Sequence, residues 1–210
     1  MDGVYSECFR TELWDLMRWR RDVRRFRTDP VEAAVLDRCL SVFAFAPSVG
    51  LSEPWRLIRV ETTVARTSAV QNFCQANASA LAGYIDEKAT LYAGLKLSGM
   101  REAPVHLALF CDDTTSKGAG LGAVTMPEAR AYSVVGAITL FWLALRAEGL
   151  GLGWVSILDP KQLALDLDVP QHWRLIGYLC IGWPETSDQT PELERAGWEH
   201  RAHDLWMETR

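Results

Sequence analysis

Arg20–Arg21–Asp22–Val23–Arg24 sets one carboxylate among guanidinium groups, and Arg18, Arg25 and Arg27 bring the count to six arginines between residues 18 and 27. Planar, bidentate donors packed this densely suit a phosphate monoester better than they suit one another. The same residues would also make a solvated cationic helix end, favourably placed against the C-terminal dipole of a preceding helix. Asp22, surrounded by positive charge, is expected to stay ionised. What the stretch is for depends on the chain around it.

The chain is acidic overall, with a formal net charge of −5 and a pI near 5.4. That gives it no general attraction to nucleic acid or to an anionic membrane, so the arginines are a local feature. Its 210 residues, 49% hydrophobic and 23% charged, predict one buried domain over residues 1–210. The five cysteines are scattered without a Cys-x-x-Cys pair, which predicts reduced, buried thiols. His106, His172, His200 and His203 show no ligand spacing, so no protein-built metal site is expected. The amino terminus carries Asp2, Glu7 and Glu12 in place of an apolar signal core, and the longest apolar run, 134–145, is too short to span a bilayer. Together these features predict a cytoplasmic protein. Nine tryptophans suggest an aromatic-lined pocket or an extensive subunit contact.

Apolar residues Phe9, Leu13, Leu16 and Met17 recur at helical spacing and predict a helix from about 6 to 21 that delivers the arginines. Asp29, Pro30 and Glu32 read as a cap, a first helical position and a capping-box partner for a second helix running to about 43. Ala46–Pro47–Ser48–Val49–Gly50–Leu51–Ser52–Glu53–Pro54 is a turn-rich loop leading into a half-exposed strand over 55–60. Residues 63–96 are helical by composition, with breaks at Gly83 and Gly94. The run 105–111 is a strand buried on both faces. Thr125 and Glu128 read as another capping box, opening a long central helix over 127–148 that ends at Gly149. A strand over 149–157, a short helix from Asp159 to Leu167 and a strand over 173–182 follow. The tail from about 183 to 210 retains Trp198 and Trp206 and is expected to wrap a partner subunit.

Several chemistries lack their residues. Lys117–Gly118–Ala119–Gly120–Leu121–Gly122 has neither the Gly-Lys-Ser/Thr ending of a phosphate loop nor the strand-led Gly-x-Gly-x-x-Gly of a dinucleotide fold, and reads better as a mobile loop or lid. No Gly-x-Ser-x-Gly elbow or hydrolytic triad is present. What remains is an arginine-rich anion site together with Gly149, Gly151 and Gly153, whose lack of side chains lets something approach closely, either a helix or a flat ring.

Arg20–Arg21–Asp22–Val23–Arg24, Ala46–Pro47–Ser48–Val49–Gly50 with Pro54–Trp55, and the long helix into Glu148–Gly149–Leu150–Gly151 resemble the flavin-dependent nitroreductase superfamily. Asp22 stands where that superfamily usually has serine. With Leu95–Lys96–Leu97, Gly153–Trp154–Val155–Ser156–Ile157, Pro191–Glu192–Leu193–Glu194 and Gly197–Trp198, the chain looks like the 5,6-dimethylbenzimidazole synthase branch, over residues 15–201. The resemblance implies an α+β fold with a mainly antiparallel sheet flanked by helices, in an intertwined homodimer holding FMN at the subunit interface. It also implies that reduced FMN, supplied by a separate flavin reductase, is the substrate. Molecular oxygen is the co-substrate, and 5,6-dimethylbenzimidazole and erythrose 4-phosphate are the products.

Carried over by motif, Arg20, Arg21 and Arg24 would contact the phosphate and ribityl end, with Val23 between them and Arg201 as a further candidate. Pro47, Ser48 and Val49 would line the flavin and Leu97 would help cover it. Asp22 and Ser156 match the residues used beyond binding: a carboxylate near the ribityl chain can accept a proton, and a hydroxyl can hydrogen-bond the ring's polar edge. Without the resemblance, Asp22 reads as a salt-bridge partner that orients Arg20 or Arg24, and Ser156 as a satisfied strand hydroxyl. Glu53 and Phe45 depart from the family pattern, which has glutamine before Pro-Trp and a more polar residue in the loop. The rival readings are an NAD(P)H-dependent FMN nitroreductase or dehalogenase on the same fold, and a flavin-binding protein without chemistry.

Overall fold

Four strands, β1 (Trp55–Arg59), β2 (Val105–Asp112), β3 (Gly151–Val155) and β4 (Trp173–Gly182), pair antiparallel throughout in the order β1-β2-β4-β3. They belong to a computed structural model of the chain that describes residues 3–202 and 204–210; Asp2 and His203, named above for charge and metal spacing, lie outside the described residues, as does Met1. Helices α1 (Glu7–Trp19), α2 (Ala33–Leu40), α3 (Thr63–Leu81), α4 (Asp86–Gly94), α5 (Ala129–Ala147), α6 (Pro160–Asp166) and α7 (Glu192–Arg195) surround the sheet.

The apolar run of β2 is buried on both faces because successive side chains of a strand point to opposite sides. Leu107, Leu109 and Cys111 join Leu36, Ile138, Phe141 and Leu145 of α2 and α5 on one side. Ala108 and Phe110 join Ala69 of α3, Leu163 of α6 and Tyr178 on the other. His106 sits on that second side, its Nδ1 2.7 Å from the Tyr178 hydroxyl and its Nε2 3.1 Å from the Ala103 carbonyl oxygen. A carbonyl can only accept, so Nε2 carries the proton and Nδ1 accepts from the hydroxyl. Burial pushes this imidazole down to about 4, with the positive charge of Arg66 adding to the effect.

Helix ends follow local chemistry, though not always the expected one. Ser6 caps α1 by accepting the Phe9 N–H, and Asp159 caps α6 by accepting from Lys161 and Gln162. Gly149, at φ 82°, closes α5 while Leu150 N–H returns to the Leu145 carbonyl at 2.9 Å. The two capping boxes read from sequence do not form. Asp29 instead pairs with Arg27, and α2 starts after Glu32 without a side-chain cap. Thr125 donates to the Gly122 carbonyl, and α5 starts only at Ala129. At Asp29 the ion pair with Arg27 claims the side chain, and at Thr125 the tight turn over 117–125 does. The thiols also divide: Cys39, Cys111 and Cys180 are buried, whereas Cys8 and Cys74 are exposed, contrary to the uniform burial expected. No helix is long and apolar enough to cross a membrane, and no metal-holding cluster of His, Cys, Asp or Glu occurs among the described residues.

Candidate active site

The chain leaves α1 at Trp19 and turns extended at Arg20, whose N–H still reaches the Leu16 carbonyl. Residues 22–24 then run along the outer edge of β3. Val23 N–H donates to the Leu152 carbonyl at 3.0 Å, and Asp22 Oδ1 accepts the Trp154 N–H at 2.8 Å. The glycines of β3 make this possible. A Cβ on Gly153 would lie 2.1 Å from the Val23 carbonyl oxygen, and one on Gly151 would lie 2.7 Å from Val23 Cγ2. What approaches these glycines is therefore neither a helix nor a ring but the arginine-bearing segment itself. Beyond it, Arg27 N–H bonds the Trp183 carbonyl and Glu185 N–H the Arg25 carbonyl, so the segment is tied at both ends.

The result is a cleft of about 320 Å³ between α1, α5, the segment 20–25 and the stretch 186–196. Its charges are paired unequally. Arg24 Nε donates to Asp22 Oδ2 at 2.9 Å and its Nη1 to the Lys96 carbonyl at 3.3 Å. Arg25 meets Glu192 at 3.4 Å and Arg195 meets Asp188 at 3.5 Å. Arg21 donates to the carbonyls of Gln189 and Arg20. Arg20 makes no side-chain hydrogen bond or ion pair among the described residues and stands over the Trp142 ring, 4.6 Å from its centre. Burial pushes the guanidinium of Arg20 down, and Asp22 only partly offsets this. An anion in the cleft would meet donors that the protein itself leaves unused.

Asp22 is paired with Arg24, but its charged neighbours are not the only influence on its carboxyl. Burial is the largest influence and raises its carboxyl above the ordinary range, against Arg24, the Trp154 N–H and Arg20, which all pull it down. A carboxyl raised in this way is a better proton acceptor than one held low by a salt bridge.

The other candidates are dispersed. Val23 lines the cleft with the arginines, but Pro47, Ser48 and Val49 lie elsewhere. Val49 N–H donates to Ser133 Oγ at 3.0 Å near the start of α5, whereas the cleft is built around Trp142 and Arg146. At 1.5 Å rise per residue, Ser133 and Trp142 are roughly 14 Å apart along the helix. Gly50 and Gly118 touch, so that a Cβ on Gly118 would be 2.3 Å from the Gly50 carbonyl, and Glu53 pairs with Lys117. The glycine-rich loop expected to be a free lid is thus packed on the Pro47–Glu53 loop. Ser156 falls just past the end of β3 and is exposed, so it is not the satisfied strand hydroxyl of the bland reading. It lies two residues beyond Trp154, roughly 7 Å along extended chain from the amide that holds Asp22. Leu97 lines a separate groove of about 200 Å³ with Val70, Phe73 and Met100, next to Lys96, whose carbonyl receives Arg24. Arg201 pairs with Glu194 outside the cleft, yet its charge adds to burial in pushing Arg21 down.

Sequence reasoning missed Trp142 and Arg146. Their i, i+4 spacing on α5 puts both on the cleft face, but inside a long apolar run neither stands out.

Residues 17–183 match the model of the nitroreductase family. The chain is 50% identical over 198 residues, covering 94% of each chain, to a 5,6-dimethylbenzimidazole synthase of Rhodospirillum rubrum. It is 46% identical over 202 residues, covering 96% of this chain and 98% of the relative, to a 5,6-dimethylbenzimidazole synthase of Rhodobacter capsulatus. Among solved structures, iodotyrosine deiodinase bound to FMN and 3-iodo-L-tyrosine superposes with a TM-score of 0.74 at 20% identity, over 94% of this chain and 98% of that one. At that identity the superposition speaks for the fold, an antiparallel sheet with flanking helices. The match of the family model across most of the chain, together with relatives of this similarity over nearly the whole length, makes the chain a member of the nitroreductase family.

Proposed function

We propose that the chain is a 5,6-dimethylbenzimidazole synthase acting on reduced FMN. The observation that carries the reading is Asp22, fixed on the edge of β3 by the Trp154 amide and set inside a cleft of arginines. The synthases of R. rubrum and R. capsulatus, similar over nearly the full chain, support it.

The donor set fits the flavin's phosphate, because the Arg20 guanidinium is half-buried and has no acceptor among the described residues. Reduced FMN, brought by a separate reductase, would supply with molecular oxygen the chemistry by which the isoalloxazine is fragmented to 5,6-dimethylbenzimidazole and erythrose 4-phosphate is released. Arg20, Arg21 and Arg24 would hold the phosphate and ribityl end, with Val23 as backbone between them and Arg201 contributing charge from outside. Pro47, Ser48 and Val49 would line the ring and Leu97 would help to cover it. Since Pro47–Val49 and the arginines lie toward opposite ends of α5, a homodimer in which each chain supplies one group is the arrangement that lets both reach one flavin. In that arrangement the tail over 183–210 would wrap the partner. Asp22 Oδ2, raised by burial, would accept the proton released as ribityl bonds break, while Arg24 holds the carboxylate's orientation. The Ser156 hydroxyl, exposed and without a partner among the described residues, would donate to the polar edge of the ring. The compartment consistent with this substrate is the cytoplasm.

The test is a single-turnover reaction of purified protein with chemically reduced FMN and air, followed by chromatography. Release of 5,6-dimethylbenzimidazole is expected, with little product from Ser156→Ala. Intact FMN and no benzimidazole would overturn the reading, and oxidation of NAD(P)H by the isolated protein would point to a nitroreductase in its place.

A further inference from the structure

Of the six arginines lining the cleft, Arg21 donates to the backbone carbonyls of Gln189 and Arg20, and the other five fall into two groups. Arg24, Arg25 and Arg195 each meet a carboxylate, Asp22, Glu192 and Asp188 respectively, and so bring little net charge to a ligand. Arg20 and Arg146 meet indoles instead. Arg20 Cζ stands 4.6 Å from the centre of Trp142, and Arg146 Cζ stands 5.8 Å from the centre of Trp19. Neither makes an ion pair among the described residues. Among the described residues Arg146 makes one side-chain hydrogen bond, a 3.3 Å contact from Nη1 to Ser187 Oγ.

The difference matters for recognition. A carboxylate neutralises a guanidinium and occupies its N–H fork. An aromatic face attracts the cation through its quadrupole, leaves the positive charge in place and leaves the in-plane N–H groups pointing away from the ring. Trp142 and Arg146 sit one helical turn apart on α5, and Trp19 ends α1 beside Arg20, so all four side chains line one cavity.

We propose that Arg146 is a second anion-binding residue of the cleft, beside Arg20, and that Trp142 and Trp19 are positioning residues that hold the two guanidiniums on indole faces with their charge and donors available to the flavin phosphate. The identity of the ligand rests on the FMN reading above; the anion site itself does not. Arg25 and Arg195 shape the wall, Arg24 and Arg21 meet the ribityl end, and the indole-held arginines take the phosphate.

The test separates phosphate from ring. Oxidised FMN and riboflavin, which lacks the phosphate, are titrated by fluorescence quenching into wild type, Arg146→Gln, Trp142→Leu and Trp142→Phe. Inorganic phosphate is titrated in parallel by calorimetry. Arg146→Gln and Trp142→Leu should each lose FMN affinity by about 10- to 100-fold, as expected for a charge-assisted bond removed or misdirected, with riboflavin affinity unchanged. Trp142→Phe keeps an aromatic face and should stay within about threefold of wild type.

Arg146→Gln binding FMN as wild type does would overturn the proposal and leave the flavin reading intact. Equal loss of riboflavin and FMN in Trp142→Leu would overturn the positioning role, because it signals damage to the pocket as a whole. Wild type that takes inorganic phosphate but neither flavin would sink the FMN reading, and loss of phosphate binding in Arg146→Gln would then still uphold the anion site. No binding of phosphate or flavin by wild type would remove both.

Discussion

Asp22 Oδ1 accepts the amide of Trp154 at 2.8 Å, so the carboxylate among the arginines is placed by the sheet as well as by its salt bridge. Its other oxygen, Oδ2, takes Arg24. Asp22→Asn can keep the first contact, because an amide oxygen also accepts, but it cannot take up a proton. Product formation from reduced FMN should therefore fall by about 10²- to 10⁴-fold, the usual span for loss of a general base. FMN affinity should stay within a few-fold by fluorescence titration. Loss of flavin binding with normal turnover of what does bind would return Asp22 to a purely architectural role.

Gly153 is the point where β3 admits the arginine segment. A methyl group there would sit 2.1 Å from the Val23 carbonyl oxygen, a contact with backbone that no rotamer can relieve. Gly153→Ala should destabilise the fold by about 1–3 kcal/mol in urea titrations, as overpacking does. FMN binding should weaken by more than the stability loss accounts for, because residues 20–24 move with Val23. Gly94→Ala is the control, since a Cβ at Gly94 meets nothing within 4 Å. Equal behaviour of the two variants would dissociate β3 from the site.

The element pattern was largely legible because it rests on periodicity: the doubly apolar β2, the breaks at Gly83 and Gly94, and the Asp159 and Gly149 helix ends all follow from residue type. The capping boxes failed at Asp29 and Thr125 because a nearby arginine or turn carbonyl claimed the same side chain. Of the site, the arginine stretch was visible as composition. The purpose of the glycines was not, since a close approach by another strand and one by a ring leave the same sequence. Arg146 and Trp142 were hidden for a different reason: their meaning comes from what α1 and the segment 20–25 bring against α5, and one helix's pattern does not contain that.

The His106–Tyr178 pair predicts an acid-sensitive fold. The imidazole is held neutral, its pKa pushed by burial from the ordinary 6.5 down to about 4, so the unfolded chain binds a proton more readily than the folded one. The stability involved is present above pH 6.5 and is lost as the pH falls through about 4, a change of about 3 kcal/mol. Asp22 works in the opposite sense. Its raised carboxyl favours the folded state at low pH and that contribution is lost as pH rises, so Asp22→Asn should make the acid destabilisation steeper. Urea unfolding at pH 7 and pH 4.5, in wild type and Asp22→Asn, measures both. A pH-independent midpoint would mean that the imidazole is protonated in place.

Helix α1 has no buried residue although its apolar residues repeat at helical spacing; Phe9 is 42% exposed, Trp14 63% and Met17 41%. On α5, expected to lie centrally, Tyr132 is 58% exposed and Val135 40%. Trp206 in the tail is 85% exposed, whereas Trp198 packs on Tyr84 and Tyr92 of its own chain. Each large side chain left in water forgoes about 1.5–3 kcal/mol that burial would supply, and a second copy of the chain offers a way to recover it. Sedimentation of wild type should therefore give a dimer, and Phe9→Glu with Trp14→Glu a monomer. The monomer should retain the arginine cleft and bind inorganic phosphate, yet lose much of its FMN affinity, because Pro47–Val49 would then be absent from the ring's side. A monomeric wild type with full FMN affinity would exclude Pro47, Ser48 and Val49 from the flavin site and leave the arginines to hold the ligand within one chain.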